Sequence, residues 1–298
     1  MAFTDLQDYI NKLDASGRLT RIAAEVDAVL EITEIADRLV KQGGPALLFE
    51  RVKDSPYPLA INLFGTLERT CFAFGVAGFD DIARRVMSFI PTAMPGTLMD
   101  KMKLLWSMKD IKNFQPRGMR SGPCQEVIEK DGPLLKSLPV LQCWPKDAGR
   151  FVTLPLVITK HPETGVQNMG MYRMQIIDER RAFMHWHLHH DGAGHHRLNL
   201  ERGRDTEVAI ALGCDPATLY SATAPLPPGL DELLFAGFLR NSPVETVKAA
   251  TVDLMVPAHA EFVLEGTVSA ETSIEGPVGD HTGFYSDADQ YPVFTLRA

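Results

Sequence analysis

Helical and extended hydrophobic patterns alternate over the first 115 residues. Apolar residues recur every three or four positions from Phe3 to Leu13, which predicts an amphipathic helix ended by Gly17. The same periodicity predicts helices at 31–41, 80–90 and 97–114, and short apolar runs predict strands at 19–22, 45–49 and 58–64. This order of elements is typical of an α/β layer arrangement.

A different pattern begins near residue 122, where short β-rich runs replace the helical periodicity. Pro116, Gly118, Gly122 and Pro123 cluster at the change, so we predict two domains, 1–118 and 119–298. Many short strands separated by turns favour a barrel or bent sheet for the second domain. Its predicted strands are 153–159, 167–177, 182–188, 208–212, 245–251 and 261–268, and its predicted helices are 216–221 and 230–239.

Composition and charge narrow the classes of function. The 298 residues are 45% hydrophobic and 23% charged, as in globular proteins, and the net charge of -8 opposes binding to nucleic acid or anionic membranes. Four scattered cysteines form no CxxC pair, which indicates reduced thiols. We find no signal peptide and no membrane-length apolar run, and predict a cytoplasmic protein. The last seven residues read as a strand just begun, so we expect more protein to follow.

Histidines form the first candidate site. His185, His187 and His189 alternate along a predicted strand and would share one face, and His190, His195 and His196 follow across a Gly192–Gly194 loop. Imidazole is a common ligand of transition metals, so the cluster could bind one. The alternative is an exposed polar strand face. The sequence contains no HExxH motif, so no motif indicates a zinc hydrolase.

Three further stretches carry polar groups in unusual settings. The segment Asn168–Arg173 has an amide and a guanidinium five residues apart, which would face opposite sides of a regular strand unless a bulge at Gly170 reunites them. The segment Glu275–Gly283 places two acids and a histidine among three glycines, and could hold an acid/base pair or simply form a surface turn. Glu232, near a helix start, is by default a favourable helix-end charge.

Taken in order, several segments resemble one known family. They are 30–38, 44–50, 62–66, 122–125, 143–145, 168–173, 235–237 and, most specific of all, 275–285. Together they resemble the UbiD family of prenylated-FMN-dependent (de)carboxylases. The resemblance implies an α+β fold in which an N-terminal α/β domain precedes a split β-barrel of the flavin-reductase type. It also implies that the family's C-terminal α/β domain is absent here, because the family is usually much longer.

The resemblance implies a cofactor site with a metal. Asn168, His189 and Glu232 match the ligands of a divalent ion, usually Mn²⁺, that holds the cofactor phosphate, with His190 as the alternative ligand. A potassium ion bound partly by backbone at 221–224 is also implied. The implied neighbours of the cofactor are Thr153, Asn168, Gly170, Met171, Arg173, Leu188, His189 and Glu232. The run 184–191 is richer in histidine than the family pattern.

The resemblance also implies the chemistry. Arg173, Glu275 and Asp280 match the catalytic trio, in which Glu275 delivers the proton that replaces CO₂. The implied substrate is an aromatic or α,β-unsaturated acid, by default a polyprenyl-4-hydroxybenzoate of ubiquinone biosynthesis. A flavin prenyltransferase would supply the cofactor, and the full-length form would be a homo-oligomer. Two alternatives stay open: a non-catalytic flavin-binding fragment and a metal-dependent hydrolase that uses the histidine cluster.

Overall fold

The N-terminal part of the chain is a small mixed sheet covered by helices. The computed structural model describes residues 3–89, 112–226 and 230–298. The sheet has the order β1-β2-β3, with β1 parallel to β2 and β3 antiparallel to it. Its elements are α1 (Leu6–Ala15), β1 (Leu19–Val26), α2 (Glu31–Lys41), β2 (Ala46–Val52), β3 (Leu59–Ile61), α3 (Leu67–Phe74) and α4 (Phe79–Phe89).

Local sequence explains the first helix. Asp5 caps α1 by accepting a 2.7 Å hydrogen bond from the backbone N–H of Asp8, which satisfies one of the free donors at a helix start. Tyr9, Ile10 and Leu13 fall on one face and are buried. The predicted helix is therefore confirmed, and its hydrophobic face packs into the core of the N-terminal part.

An eight-stranded antiparallel sheet dominates the rest of the chain, in the order β5-β8-β9-β16-β13-β10-β6-β7. Strand β7 is at one end of this order, and β8 is the second strand from the other end. Only Tyr172 and Arg173 separate the two strands in the chain. The sheet must therefore curl so that its two ends approach each other. Its strands are β5 (Phe151–Val152), β6 (Leu156–Lys160), β7 (Gln167–Met171), β8 (Met174–Ile176), β9 (Arg181–Met184), β10 (Thr206–Leu212), β13 (Phe262–Glu275) and β16 (Asp289–Leu296).

The centre of this sheet is covered on both faces. Along β10, Val208 and Ile210 enter one hydrophobic cluster and Ala209 and Ala211 enter another, and all four are fully buried. Successive side chains of a strand point to opposite faces, so the near-continuous apolar run is what a doubly covered strand requires. The curled sheet thus provides a rigid base for the polar groups at its ends.

Shorter elements complete the second part. A three-stranded sheet, β12-β11-β4, includes β4 from residues 117–118, and a two-stranded hairpin joins β14 to β15. Leu234 and Phe235 share a core with the N-terminal helices. The elements are β4 (Arg117–Gly118), α5 (Leu134–Ser137), α6 (Asp191–Glu201), α7 (Pro216–Ser221), α8 (Glu232–Arg240), β11 (Glu245–Lys248), β12 (Met255–Pro257), β14 (Val278–Gly279) and β15 (Tyr285–Ser286).

Several predicted elements need correction. The loop predicted at Gly192–Gly194 is the first turn of helix α6, and the strand predicted at 182–188 ends at Met184. The strand predicted at 167–177 is broken at residues 172–173, and helix α3 was not predicted. The helix predicted at 97–114 lies outside the described residues except for a 3-10 turn at 112–114. The mixed α+β class is confirmed. No helix in the described ranges is long and apolar enough to cross a membrane.

Candidate functional site

Glu275, at the end of β13, is the centre of a buried charge cluster. Its side chain is fully buried, and its Oε1 accepts hydrogen bonds from Arg173 Nε at 3.1 Å and contacts His185 Nδ1 at 2.8 Å. Within the described residues, its other oxygen, Oε2, is buried and has no hydrogen-bond partner. A buried carboxylate is tolerated when a cation pairs with it, and Arg173 supplies that cation.

His185 and its neighbours surround this carboxylate. His185 Nε2 lies 3.1 Å from His187 Nε2, and the His185 ring stacks on Tyr291 at 4.3 Å between centroids. Burial first, then the charges of His185 and Arg173, lower the pKa of His187. Burial and the nearby Glu275 raise the pKa of Tyr291. The structure thus gives His185 a partner, the Glu275 carboxylate, that the sequence did not predict for it.

The segment after Glu275 is held by groups that the sequence analysis missed. The buried Asp147 accepts from the backbone N–H of Gly279 at 2.7 Å and, through its other oxygen, from Cys143 and Trp144. Gln175 Oε1 accepts from the N–H of Gly276 at 2.8 Å. The contacts to Gly279 and Gly276 fix the backbone beside Glu275, and each joins residues more than 100 positions apart, which no local pattern could indicate.

Asp280 lies apart from the other two members of the predicted trio. It sits on the exposed turn between β14 and β15, where its side chain binds His281 at 2.5 Å and accepts from Thr282 Oγ1 at 3.3 Å. Burial raises the pKa of Asp280, but the hydrogen bonds from His281 and Thr282 and the charge of His281 together outweigh it, so the pKa is lowered. Among the described residues, no hydrogen bond joins Asp280 to Arg173 or Glu275. Ser286, on the same hairpin, accepts from Arg173 Nη2 at 3.4 Å and so ties the hairpin to the cluster.

A second polar cluster lies on the other side of the Tyr172–Arg173 link. Glu232 begins α8, and its Oε2 accepts from the N–H of Met169 at 3.1 Å. Burial, together with the nearby acids Asp231 and Asp191, raises the pKa of Glu232 to about 7. Asn168 contacts the hydroxyl of Tyr172 at 3.5 Å. A Cβ at Gly170 would stand 2.2 Å from that hydroxyl, so only glycine lets Tyr172 reach Asn168.

The amide of Asn168 faces two carboxylates. Its nitrogen donates to Asp191 Oδ2 and to Glu232 Oε1, each at 3.3 Å. If the amide turns over, its oxygen points at the same two carboxylates, and these are the kinds of oxygen ligand that a divalent cation binds. The donor set of one amide and two carboxylates therefore fits a hard divalent ion. Asp191 was not predicted as part of it.

The remaining predicted cofactor neighbours differ in their exposure. Thr153, Leu188 and His189 are exposed, whereas Gly170 is buried and Met171 half-buried. His190 is half-buried, its ring lies 4.7 Å from that of Tyr172, and its Nδ1 accepts from the backbone N–H of His187. Burial lowers the pKa of His190. In the predicted potassium segment, the carbonyl of Ala222 accepts from the N–H of Met171 at 3.2 Å.

The histidine cluster predicted from the sequence does not form one site. His185, His187 and His189 do not share a strand face, because β9 ends before them. His195 Nδ1 and His196 Nδ1 each contact a buried threonine hydroxyl at 2.9 Å, from Thr159 and Thr206, and burial lowers the pKa of both. Over the described ranges, no group of three or more His, Cys, Asp or Glu side chains is arranged to hold a metal ion.

Comparison with known proteins identifies two family models that match this chain. Residues 117–298 match the family model of the 3-octaprenyl-4-hydroxybenzoate carboxy-lyase Rift-related domain, and residues 10–86 match the N-terminal domain of the same carboxy-lyase. An uncharacterized protein of Archaeoglobus fulgidus is 48% identical over 298 residues, which cover 99% of this chain and 61% of that protein. This chain therefore spans less than two thirds of the length of that relative.

Solved structures of one enzyme show the same fold. The UbiD-class enzyme HmfF from Pelotomaculum thermopropionicum, in complex with FMN, is 30% identical with a TM-score of 0.84, over 98% of this chain and 61% of that one. An evolved dimeric form of HmfF in complex with prFMN is 29% identical with a TM-score of 0.85, over 99% of this chain and 64% of that one. With family models covering both parts, the chain belongs to the UbiD family.

Proposed function

We propose that this chain is the catalytic and cofactor-binding part of a carboxy-lyase that removes CO₂, reversibly and without oxidation, from an aromatic or α,β-unsaturated acid with prenylated FMN. The observation that supports it most is the fully buried Glu275, whose Oε1 is held by Arg173 while its Oε2 has no partner among the described residues. A buried acid with one free oxygen beside a fixed cation suits a proton donor. The FMN and prFMN complexes of HmfF support the flavin.

We assign a role to each group on this basis. When bound, prenylated FMN supplies the electron sink that the departing CO₂ requires. Glu275 delivers the proton that takes the place of CO₂. Arg173 keeps a positive charge beside Glu275 and the cofactor, and Asp280 completes the trio when its turn closes over the site. Burial of this cluster excludes water that would compete for the proton.

We propose that a divalent ion, Mn²⁺ by preference, is held by Asn168 and Glu232, joined by His189 or His190. Asp191 adds a second carboxylate to the set, since it lies 3.3 Å from the Asn168 amide. Hard carboxylate and amide oxygens suit such an ion, and a cation is needed to bind a phosphate in a chain of net charge -8. Thr153, Gly170, Met171 and Leu188 would line the flavin, and backbone at 221–224 would bind K⁺.

The finer assignments follow the family. We propose a division into an N-terminal α/β domain, 1–118, and a split-barrel flavin domain, 119–298, which the two family models support with matches at 10–86 and 117–298. The default substrate is a polyprenyl-4-hydroxybenzoate, a flavin prenyltransferase supplies the cofactor, and the full-length protein is a cytoplasmic homo-oligomer. A dimeric form of HmfF supports oligomerisation.

Reconstitution tests this function. The protein is co-expressed with a flavin prenyltransferase and assayed for CO₂ release from hydroxybenzoic, vanillic and cinnamic acids. We expect release to require the prenylated flavin and Mn²⁺. Glu275→Gln is expected to lower the rate by about 10³-fold, as loss of a general acid does, while the flavin absorbance stays. The control is Glu271→Gln on the exposed part of β13, which should keep wild-type activity.

Two results would contradict the proposal. A wild-type protein that binds the flavin and releases no CO₂ from any acid would be a flavin-binding module without this catalysis. A Glu275→Gln variant with full activity would exclude the carboxyl of Glu275 as the proton donor.

A further inference from the structure

The segment 141–148, which we call the strap, binds both the N-terminal part of the chain and the β14–β15 hairpin that carries Asp280. On the first side, the strap pairs with the residues that lead into α2. The N–H of Gln142 donates to the carbonyl of Ala28 at 3.1 Å, and the N–H of Leu30 donates to the carbonyl of Gln142 at 3.0 Å. Leu30 has a φ of +68°, which a leucine rarely adopts, so these contacts hold a strained backbone at the start of α2.

One peptide group of the strap takes part in hydrogen bonds towards both sides. Its carbonyl, from Cys143, accepts from Oγ1 of Thr33 in the first turn of α2 at 3.1 Å. Its N–H, from Trp144, donates to Oδ2 of the buried Asp147 at 2.8 Å. The other oxygen of Asp147, Oδ1, accepts from the N–H of Gly279 in β14 at 2.7 Å. Three hydrogen bonds therefore run in a continuous row from α2 to the base of the hairpin.

The members of this row can transmit a displacement because they are rigid. The peptide group between Cys143 and Trp144 is planar, so its carbonyl and its N–H move together. The indole of Trp144 also packs on Gly279, where a Cβ would stand 2.4 Å from the ring atom Cδ1. Within the described ranges, no hydrogen bond joins residues 28–33 directly to 276–286, so the strap is the hydrogen-bonded path between these two regions.

We propose that Thr33 is a positioning residue that acts through the strap and Asp147 to hold the base of the hairpin that carries Asp280. This inference rests on the proposed role of Asp280 and goes beyond it, because it makes that role depend on the N-terminal part of the chain. The turn at 280–284 is exposed, whereas Val278 at its base is buried. A turn that closes over a site needs a fixed base from which to move, and loss of the Thr33 hydroxyl would remove one bond that fixes it.

Hydrogen exchange resolved to single amides tests this path without any cofactor. Thr33→Val keeps the shape of the side chain and removes the hydroxyl. We expect the Gly279 amide to exchange about fivefold faster, the factor that corresponds to one typical hydrogen bond. The Gly276 amide, which Gln175 of β8 binds at 2.8 Å, lies outside the row and should exchange as in the wild type. Thr33→Ser keeps the hydroxyl and should retain the slow exchange at Gly279.

The matched control is Thr70→Val. Thr70 lies in the first turn of α3, is half-buried like Thr33, and donates to two backbone carbonyls at 3.1 Å, both within the N-terminal part. Thr70→Val therefore loses similar bonds but should leave the Gly279 amide protected. Equal exchange at Gly279 in Thr33→Val and Thr70→Val would overturn the proposal. So would equal acceleration at Gly279 and Gly276 in Thr33→Val, since the substitution would then loosen the region as a whole.

The reconstituted enzyme tests whether the path matters for Asp280. We expect Thr33→Val to lower kcat about fivefold and to leave KM and the flavin absorbance unchanged. In an Asp280→Asn background, the same substitution should cause no further loss, because the effects of residues that act through one another are not additive. An unchanged kcat in Thr33→Val, or a further fivefold loss in the Asp280→Asn background, would overturn the link between the two residues. If the wild type does not decarboxylate, the proposed function fails, and hydrogen exchange alone decides whether Thr33 positions the hairpin.

Discussion

The two polar clusters beside the Tyr172–Arg173 link handle a buried carboxylate differently. Glu275 has a protein cation, Arg173, at 3.1 Å, whereas Glu232 faces the acid Asp191 and an amide. Burial and like charge therefore raise the pKa of Glu232 to about 7. A buried carboxylate that pairs with a cationic side chain has its charge neutralised within the protein. A buried carboxylate that lies among other oxygen atoms can instead bind a cation from solution. The contrast supports the proposed roles of Glu275 in proton transfer and of Glu232 in binding an ion.

The largest expected effect is on stability, from removing the internal cation. Arg173→Met leaves Glu275 buried with only His185 as a partner, and breaking a buried ion pair costs about 3 kcal/mol. Urea unfolding measures the loss. The control is Arg181→Met, whose pairs with Asp178 and Glu271 are exposed and should contribute under about 1 kcal/mol. Equal losses in the two variants would mean that Arg173 does not neutralise Glu275.

A divalent ion should act on the other cluster in a pH-dependent way. The folded-state pKa of Glu232, about 7, exceeds its ordinary value of 4.5. Without a cation, the stability from this group is therefore present below pH 4.5 and lost as the pH rises through 7. Mn²⁺ at about 100 times its Kd should add about 2.7 kcal/mol at pH 8 and clearly less at pH 5.5, where protons compete.

Thermal unfolding with and without Mn²⁺ at the two pH values checks this prediction. Glu232→Gln removes the titrating group and should abolish both the metal effect and its pH dependence. Glu201→Gln, on the exposed end of helix α6, is the control and should keep both. Stabilisation by Mn²⁺ that is the same at pH 5.5 and pH 8 would contradict the role of Glu232.

A smaller loss of stability is expected from replacing Asp147, which binds the backbone next to Glu275. Asp147→Asn replaces one of two accepting oxygens with an NH₂ group, which would face backbone N–H donors, so we expect a loss of about 2 kcal/mol in the free energy of unfolding. Asp253→Asn, at an exposed carboxylate, should cost under about 1 kcal/mol in the same urea experiment. If Asp147→Asn unfolds like wild type, Asp147 does not brace the segment 276–279.

The smallest effect on stability is expected at Asp280. Its side chain is half exposed and, among the residues that the structure describes, pairs with neighbours in its own turn, so Asp280→Asn should change the free energy of unfolding by under about 0.5 kcal/mol. If the turn closes on the site during catalysis, the same variant should lose about 10²-fold in decarboxylation rate. Asp287→Asn, also exposed near this hairpin, should affect neither. An unchanged rate in Asp280→Asn would remove Asp280 from the trio.

Local sequence patterns predicted much of the fold. Helix α2 was confirmed at 31–41 and α7 at 216–221, because hydrophobic spacing and end signals agree there. Helix α6 was missed because Gly192 and Gly194 in its first turn are typical of a loop. In the structure, its buried histidines contact Thr159 and Thr206, which holds the helix against the sheet. Tertiary packing overrides weak helix propensity at such places.

The site was predictable in part. Arg173 and Glu275, separated by about 100 residues, were paired through family resemblance, and the structure brings them to 3.1 Å. Asp147 and Asp191 were missed as functional groups, and His185 was considered as a metal ligand and not as a partner of Glu275, because these partners are distant in the chain. The only available signal was the excess of histidine at 184–191, which the sequence analysis attributed to a metal site. The local periodicity of hydrophobic residues does not indicate which side chains approach each other across a curled sheet.

The link Tyr172–Arg173 has a consequence for communication between the two clusters. Tyr172 reaches Asn168 through its hydroxyl, and the next residue, Arg173, binds Glu275. A ligand that fixes Asn168 therefore also restrains the backbone that aims the guanidinium. Such coupling is reciprocal, so replacing Glu275 should change how tightly a ligand binds at Asn168. Binding of the cofactor and the positioning of Arg173 beside Glu275 would then be coupled.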